Sequence, residues 1–158
     1  MTSTLEQEIG ELLLKKGSHL VVAESCTGGF LASRITNVPG ASRYFECGVI
    51  TYSDRAKQDW LGVSSKTLKE FGAVSSEVAI EMAQGILERS GADYALSVTG
   101  IAGPGGGSLA KPVGTVFIAC VGPKEVKVEH HLFSEGRLIF KEKVAEAALK
   151  LLKYVLQS

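Results

Sequence analysis

Strand-like and helix-like segments alternate along most of this chain, and that alternation most restricts its fold. Continuous apolar or β-branched runs predict strands at 20–22, 44–52 and 94–98. Apolar residues at helical spacing predict helices over 3–16, from 30 onward, after the possible caps at 75 and 76, and over 138–156. Two further strands, 113–121 and 126–133, are joined by a link too short for a parallel crossover, which predicts an antiparallel hairpin.

These elements predict an α/β fold, a three-layer α/β/α sandwich whose mixed sheet includes the hairpin. The chain has 158 residues, of which 45% are hydrophobic. This is enough for one sizeable core, so we expect a single domain over 1–158.

Capping residues predict where two of the helices begin. Ser3 and Glu6 have the spacing of a capping box for the first helix, and Gly17 suits its end. Ser53 follows the second predicted strand and can cap a short helix that carries Lys57.

Charge and cysteine content exclude several classes of function. The 17 basic and 17 acidic residues are scattered, so neither polymeric nucleic acid nor a membrane surface is an expected partner. No apolar run approaches the length of a membrane span, and no signal sequence is present, so we expect a cytoplasmic protein. The three widely spaced cysteines, without a C-x-x-C pair, predict reduced thiols and no metal site.

Ser25 lies between an apolar strand and the start of a helix. Backbone N–H groups of Thr27, Gly28 and Gly29 lie close by in sequence, and such donors can hold an oxyanion. One short segment could therefore supply a nucleophile and a charge stabiliser for acyl transfer. The alternative is a structural helix cap with glycines that allow close packing.

Lys57 is the candidate base for Ser25. The three histidines lie at a strand start and as an adjacent pair on another strand, so a Ser-His-Asp arrangement has no support. A lysine activates serine only when its pKa is lowered, and the positive end of a helix dipole acts in that direction. The alternative is an ordinary surface lysine.

Two neighbours complete this group of candidates. Tyr52 ends the strand before Lys57 and could relay a proton, although a buried aromatic with a satisfied hydroxyl is the alternative. Cys26 competes as a nucleophile, and the same helix terminus would lower the pKa of its thiol.

A glycine-rich segment from Thr99 to Lys111 follows the third strand. Its spacing fits neither the nucleoside triphosphatase loop nor the dinucleotide fingerprint, but its N–H groups could still bind an anion. The alternative is a flexible loop without a function. Arg137, near the last helix, is a candidate partner for a phosphate or carboxylate, with a surface ion pair as the alternative.

Several ordered stretches resemble the CinA carboxy-terminal domain family, and specifically its stand-alone nicotinamide mononucleotide amidohydrolases. The matching stretches are AESCTGG at 23–29, VPGAS at 38–42, GVITYSDRAK at 48–57, LGV at 61–63, GAVS at 72–75, SVTGIAGPGGG at 97–107 and KPVGTV at 111–116. Gly136 and Arg137 resemble the family's Gly-Asp-Arg segment, although Glu135 precedes them here without an intervening Asp.

The resemblance implies hydrolysis of the nicotinamide mononucleotide carboxamide to nicotinate mononucleotide and ammonia, with neither a metal nor an organic cofactor. It also implies a self-associating domain, for which a homodimer is expected. The catalytic group carried over is Ser25, Tyr52 and Lys57. The substrate-binding candidates are Thr27, Gly28, Gly29, Thr99, Gly100, Gly103, Gly106 and Arg137. A serine amidase for another small amide and a non-catalytic nucleotide-binding or assembly domain are the alternatives.

Overall fold

The computed structural model describes residues 2–158 and contains one five-stranded sheet. The strands are β1 (Leu20–Glu24), β2 (Phe45–Ile50), β3 (Tyr94–Gly100), β4 (Thr115–Val121) and β5 (Val126–Leu132). Their spatial order is β2-β1-β3-β4-β5, with β1 parallel to both β2 and β3. β4 pairs antiparallel with β3 and with β5, which confirms the mixed sheet and its hairpin.

Helices cover both faces of the sheet, as the sequence predicts. They are α1 (Leu5–Lys16), α2 (Phe30–Thr36), α3 (Asp54–Leu61), α4 (Ser65–Phe71), α5 (Ser76–Ser90) and α6 (Arg137–Gln157). β1 shows how they are divided: its Leu20 and Val22 pack into the core with α1, α2 and α6, whereas Val21 and Ala23 pack into a second core with α3, α4 and α5. The three-layer α/β/α sandwich is therefore confirmed.

The direction of the strands brings the candidate site to one edge of the sheet. β1, β2 and β3 are parallel, so their carboxyl ends share an edge, where ligand crevices of open α/β sheets form. β5 is also parallel to them, because two antiparallel steps separate it from β3. The turn after β1, the link from β2 to α3, the glycine loop after β3 and the start of α6 consequently meet there.

Three details differ from the sequence predictions. The capping box of α1 uses Thr4 and Gln7 instead of Ser3 and Glu6, because the Thr4 hydroxyl accepts from the Gln7 N–H while the Gln7 side chain accepts from the Thr4 N–H. α4, which the sequence analysis does not predict, begins at the cap Ser64. Thr99 and Gly100 belong to β3, so the glycine loop begins only after them.

Within the described residues, no helix combines the length and the apolar character needed to cross a membrane.

Candidate active site

Ser25 begins a tight turn, residues 25–29, that we call the nucleophile turn. The Gly28 N–H donates to the Ser25 carbonyl at 3.1 Å, and the Phe30 N–H donates to the Thr27 carbonyl at 3.1 Å. Gly28 and Gly29 have φ angles of 59° and 101°, which are strained for residues with a Cβ. The turn therefore needs glycine at both positions, and α2 begins only after it.

The turn leaves a small set of backbone donors available. The Gly28 N–H is already bonded within the turn, whereas the N–H groups of Cys26, Thr27 and Gly29 donate to no oxygen atom in residues 2–158. An oxyanion formed at Ser25 would be adjacent to these unbonded donors. The Thr27 hydroxyl cannot donate to an oxyanion, because it already donates to Glu24 Oε1.

Lys57 lies in the first turn of α3, which Ser53 caps by accepting the N–H of Ala56. Its Nζ lies 2.9 Å from Ser25 Oγ and 2.8 Å from the Thr51 carbonyl oxygen. Lys57 is only 2% exposed, and it forms no salt bridge with a carboxylate of the described chain. Lysines are rarely buried in this way without a paired charge. The candidate nucleophile and the candidate base are therefore in direct contact.

Burial lowers the pKa of Lys57 from its ordinary value of 10.5, although the negative charge of Asp54 acts in the opposite direction. The cause is removal of the ammonium from water, which favours the neutral amine. A neutral amine donates one N–H to the Thr51 carbonyl and uses its lone pair to accept the hydroxyl proton of Ser25. This is the arrangement a serine–lysine pair needs for acyl transfer.

Cys26 is unsuited to replace Ser25 as the nucleophile. Burial raises the pKa of its thiol to about 12, and the nearby Glu24 carboxylate adds to that rise. The expectation that the helix terminus lowers this pKa is wrong, because α2 begins four residues later and the thiol is 5% exposed. A thiol with this pKa remains protonated at neutral pH and is a weak nucleophile.

Tyr52 and Arg137 meet at the mouth of the site. Arg137 donates to the Tyr52 hydroxyl at 2.8 Å and to the Gly103 carbonyl at 2.7 Å. Tyr52 is 62% exposed, so it is not the buried aromatic considered from the sequence. The contact links the end of β2, the glycine loop and the start of α6, with a phenol and a guanidinium facing solvent.

The other predicted binding residues are placed in different ways. Thr99 is buried, and its hydroxyl donates to the Ala73 carbonyl at 2.8 Å. Gly100 is packed so closely that a Cβ would lie 2.8 Å from the Thr115 carbonyl oxygen. Gly106 lies in the exposed part of the loop. Gly103 is therefore the loop glycine that directly contacts another candidate, Arg137.

Three contributors to the site are absent from the sequence predictions. Glu24 binds the nucleophile turn through its carboxylate, and Thr51 holds Lys57 through a backbone carbonyl, which no side-chain pattern reveals. Lys141 reaches over the turn, since its Nζ lies 3.8 Å from the point that a Cβ on Gly28 would occupy. Lys141 lies four residues after Arg137 on α6, so both side chains share one face of the helix. This spacing is the one sequence signal that could have identified Lys141.

The described residues also include side chains of the types that bind metal ions. Within residues 2–158, no group of three or more His, Cys, Asp or Glu side chains is arranged to hold an ion. Each histidine interacts away from Ser25: His19 lies near Asp93, His130 stacks on Phe117, and His131 contacts Glu129.

The CinA C-terminal domain family model matches residues 2–156. The chain belongs to this family. A CinA-like protein of Syntrophobacter fumaroxidans is 52% identical over 152 residues, which cover 96% of this chain and 36% of that protein. This CinA domain therefore spans about a third of the length of the curated relative it matches.

Solved structures of similar size share the fold. The crystal structure of competence damage-inducible protein A (ComA) from Klebsiella pneumoniae is 36% identical, with a TM-score of 0.93 over 97% of this chain and 95% of that one. The competence/damage inducible protein CihA from Agrobacterium tumefaciens is 39% identical, with a TM-score of 0.87 over 100% and 99% of the two chains. Neither name states a reaction.

Proposed function

We propose that this CinA domain is a nicotinamide-nucleotide amidase, which hydrolyses the carboxamide of nicotinamide mononucleotide to nicotinate mononucleotide and ammonia. The observation that carries the proposal is the buried 2.9 Å contact between Lys57 Nζ and Ser25 Oγ. A lysine with a lowered pKa beside a serine is an arrangement for acyl transfer, and it has no evident structural purpose. The resemblance of the surrounding sequence blocks to the family's amidohydrolases supports the choice of substrate.

In the first half of the reaction, Lys57 takes the Ser25 hydroxyl proton as Oγ attacks the amide carbon. The oxygen of the tetrahedral intermediate gains negative charge, which the unbonded N–H groups of the nucleophile turn, at Cys26, Thr27 and Gly29, stabilise. The C–N bond then breaks, and the leaving nitrogen receives a proton through Tyr52 and Lys57, so that ammonia departs. The product of this half is a Ser25 ester of the nicotinate group.

In the second half, water attacks the ester. Lys57, neutral again after proton transfer to ammonia, takes a proton from the water and returns it to Ser25 Oγ as the C–O bond breaks. Nicotinate mononucleotide is released and the enzyme is regenerated. Lys57 acts as base and then as acid in each half, so its pKa must lie near the working pH.

The nucleotide end of the substrate requires cationic groups at the mouth of the site. Arg137 and Lys141 lie one turn apart on α6, the first against Tyr52 and the second over the nucleophile turn. We assign phosphate binding to these two residues, with the loop around Gly103 and Gly106 beside the ribose. Thr99 and Gly100 support that loop from β3.

Ammonia release tests the function directly. Purified protein should release ammonia from nicotinamide mononucleotide faster than from nicotinamide, nicotinamide riboside or glutamine. Equal rates on the non-nucleotides would favour the alternative, an amidase for other small amides. The absence of any turnover, with nucleotide binding retained, would favour a binding or assembly domain.

A matched serine pair controls for the nucleophile. Ser25→Ala should abolish the release, whereas Ser33→Ala, on the exposed side of α2, should leave it unchanged. Loss of activity in Cys26→Ala together with full activity in Ser25→Ala would move the reaction to the thiol.

We also propose that the enzyme is a cytoplasmic homodimer. Exposed apolar side chains occur on the elements that form the site, at Ile50 in β2, Trp60 in α3 and Leu138 in α6, where a second copy could cover them. Three unpaired cysteines are consistent with a reducing compartment. Light scattering of the purified protein tests the assembly, with a monomeric mass as the contrary result.

A further inference from the structure

Glu24 is a buried carboxylate beside the nucleophile that the proposed reaction does not use. It is 1% exposed, and within residues 2–158 it forms no salt bridge with a basic side chain. A buried charge is costly unless hydrogen bonds replace its water. Glu24 meets this condition by accepting three hydrogen bonds, from the Thr27 hydroxyl at 2.5 Å and from the N–H groups of Leu31 and Ala32 at 2.9 and 3.0 Å.

These bonds replace the usual cap of α2. Helices commonly begin at a Ser, Thr, Asp or Asn whose side chain accepts an N–H of the first turn, but Gly29 occupies that position here and has no side chain. The Glu24 carboxylate, five residues earlier, takes over the role from the end of β1. Its negative charge also suits the positive end of the helix dipole.

The same bonds determine which donors remain for an oxyanion. Of the first-turn N–H groups of α2, those of Leu31 and Ala32 donate to Glu24 and that of Phe30 donates to the Thr27 carbonyl, so they cannot serve the substrate. The N–H groups that donate to no oxygen atom of the described chain are those of the turn itself, at Cys26, Thr27 and Gly29. Glu24 holds this turn from one side through the Thr27 hydroxyl, so its carboxylate fixes the segment that carries both the nucleophile and these donors.

Glu24 is also connected to the segment that holds the base. Its carbonyl oxygen accepts the Thr51 N–H at 2.9 Å, and the Thr51 carbonyl accepts a hydrogen bond from Lys57 Nζ at 2.8 Å. A single residue therefore bonds to the nucleophile turn through its side chain and to the lysine-holding segment through its backbone. Errors of about 1 Å in such positions are enough to cost large factors in rate.

We infer that Glu24 is the positioning residue of this site: its buried carboxylate caps α2 and holds Thr27, so that Ser25 and the Cys26 and Thr27 amides keep their reactive arrangement. The inference rests on the proposed acyl transfer at Ser25, but it does not depend on the identity of the nucleotide. Glu24 does not contact the reacting atoms, so its effect should appear in kcat and in acylation of Ser25.

The test compares Glu24→Gln and Thr27→Val with the control Thr36→Val, whose hydroxyl bonds only to carbonyls within α2. Two reactions are measured on each folded variant: ammonia release from nicotinamide mononucleotide, and the acylation burst with p-nitrophenyl acetate, corrected with Ser25→Ala. The ester needs no nucleotide subsite. Circular dichroism and thermal melting establish that each variant is folded at the assay temperature.

We expect Glu24→Gln to lower kcat about 100-fold and Thr27→Val about 10-fold, with KM within about threefold and the ester burst slowed in parallel. Thr36→Val should stay within about twofold of wild type in both reactions. If the wild-type protein reacts with the ester but not with nicotinamide mononucleotide, the proposed substrate is wrong, while the inference about Glu24 can still be tested with the ester. The inference is overturned if the folded Glu24→Gln variant has wild-type rates of ammonia release and acylation. It is also overturned if neither substrate acylates the wild-type protein.

Discussion

The two sides of the site differ in how far they are organised without a ligand. On the catalytic side, Ser25 and Lys57 are buried and directly bonded; the Thr51 carbonyl holds Lys57, and the Glu24 carboxylate holds the turn that carries Ser25. On the binding side, Tyr52 and Arg137 are exposed and held mainly by each other and by one loop carbonyl. For the proposed reaction, this comparison means that the chemical groups are preorganised, and we expect bound substrate to order the mouth of the site.

This difference predicts distinct kinetic signatures for the two sides. A change on the catalytic side removes an interaction made in the transition state and should lower kcat. A change on the binding side removes an interaction made equally with the bound substrate and should raise KM. A reversed signature at any of these residues would weaken the division.

The largest effect is expected from the catalytic pair itself. Ser25→Ala and Lys57→Met should each lower kcat by about 10³-fold or more, because one removes the nucleophile and the other its base. The double variant should lose little beyond either single one, since the two groups act as a unit. Ammonia release at saturating substrate measures this. A double variant in which the two losses multiply would show that the residues act independently.

The pH profile is expected to have an acidic limb set by Lys57. Protonated Lys57 cannot accept the Ser25 proton, so the rate should fall about tenfold per pH unit below the pKa of this residue. Burial lowers that pKa, so the midpoint should lie below 10.5. The dependence of kcat/KM on pH measures it in the free enzyme. A profile that stays flat from mildly acidic to alkaline pH would contradict the pair.

On the binding side, Arg137→Ala should raise KM for nicotinamide mononucleotide by about 10- to 100-fold while kcat changes by less than about threefold. The reason is loss of a guanidinium that can hold a phosphate with two donors. Arg55→Ala is the control, because Arg55 is exposed on α3 and pairs only with Asp59. If Arg137→Ala instead lowered kcat with KM unchanged, the residue would belong to the catalytic side.

The sequence predicts much of the fold and the catalytic pair. The sheet, its hairpin and the turn at Ser25 follow from periodicity and short apolar runs, and the structure confirms them. Ser25 and Lys57 are 32 positions apart, yet their meeting follows from two parallel strands whose carboxyl ends share an edge. Residues that directly follow two neighbouring parallel strands can therefore be predicted to belong to one site.

Other parts of the site depend on tertiary contacts that no local pattern encodes. The pKa of Cys26 is raised because the thiol is buried, and burial of one turn residue depends on the whole packing around it. The role of Glu24 requires its carboxylate to reach a helix that begins six residues later. The sequence gives no clear signal for α4, because its seven residues carry one buried apolar side chain, Leu68, and so show little periodicity.

Tyr52 contacts Arg137 on the binding side, but the proposed reaction also gives its phenol a proton to pass, so its variant locates the boundary between the two sides. Tyr52→Phe should lower kcat about 10-fold if the phenol passes a proton to the leaving nitrogen, with KM raised only slightly. The ring is retained, so the contact area changes little, and Arg137 loses one acceptor. Steady-state kinetics on the amide substrate measure the effect. An unchanged kcat with a higher KM would assign Tyr52 to substrate binding alone.

The smallest expected effect is on stability. Lys57→Met removes a buried amine whose pKa is lowered, so the folded wild-type protein bears a cost whenever this amine is protonated. Between its folded pKa and 10.5 the unfolded chain binds more protons, so wild-type stability rises with pH across that window. Lys57→Met should therefore melt about 2–4 °C higher than wild type at pH 6, with the difference shrinking towards pH 10. A difference that is the same at both pH values would show that the amine is not held neutral by burial.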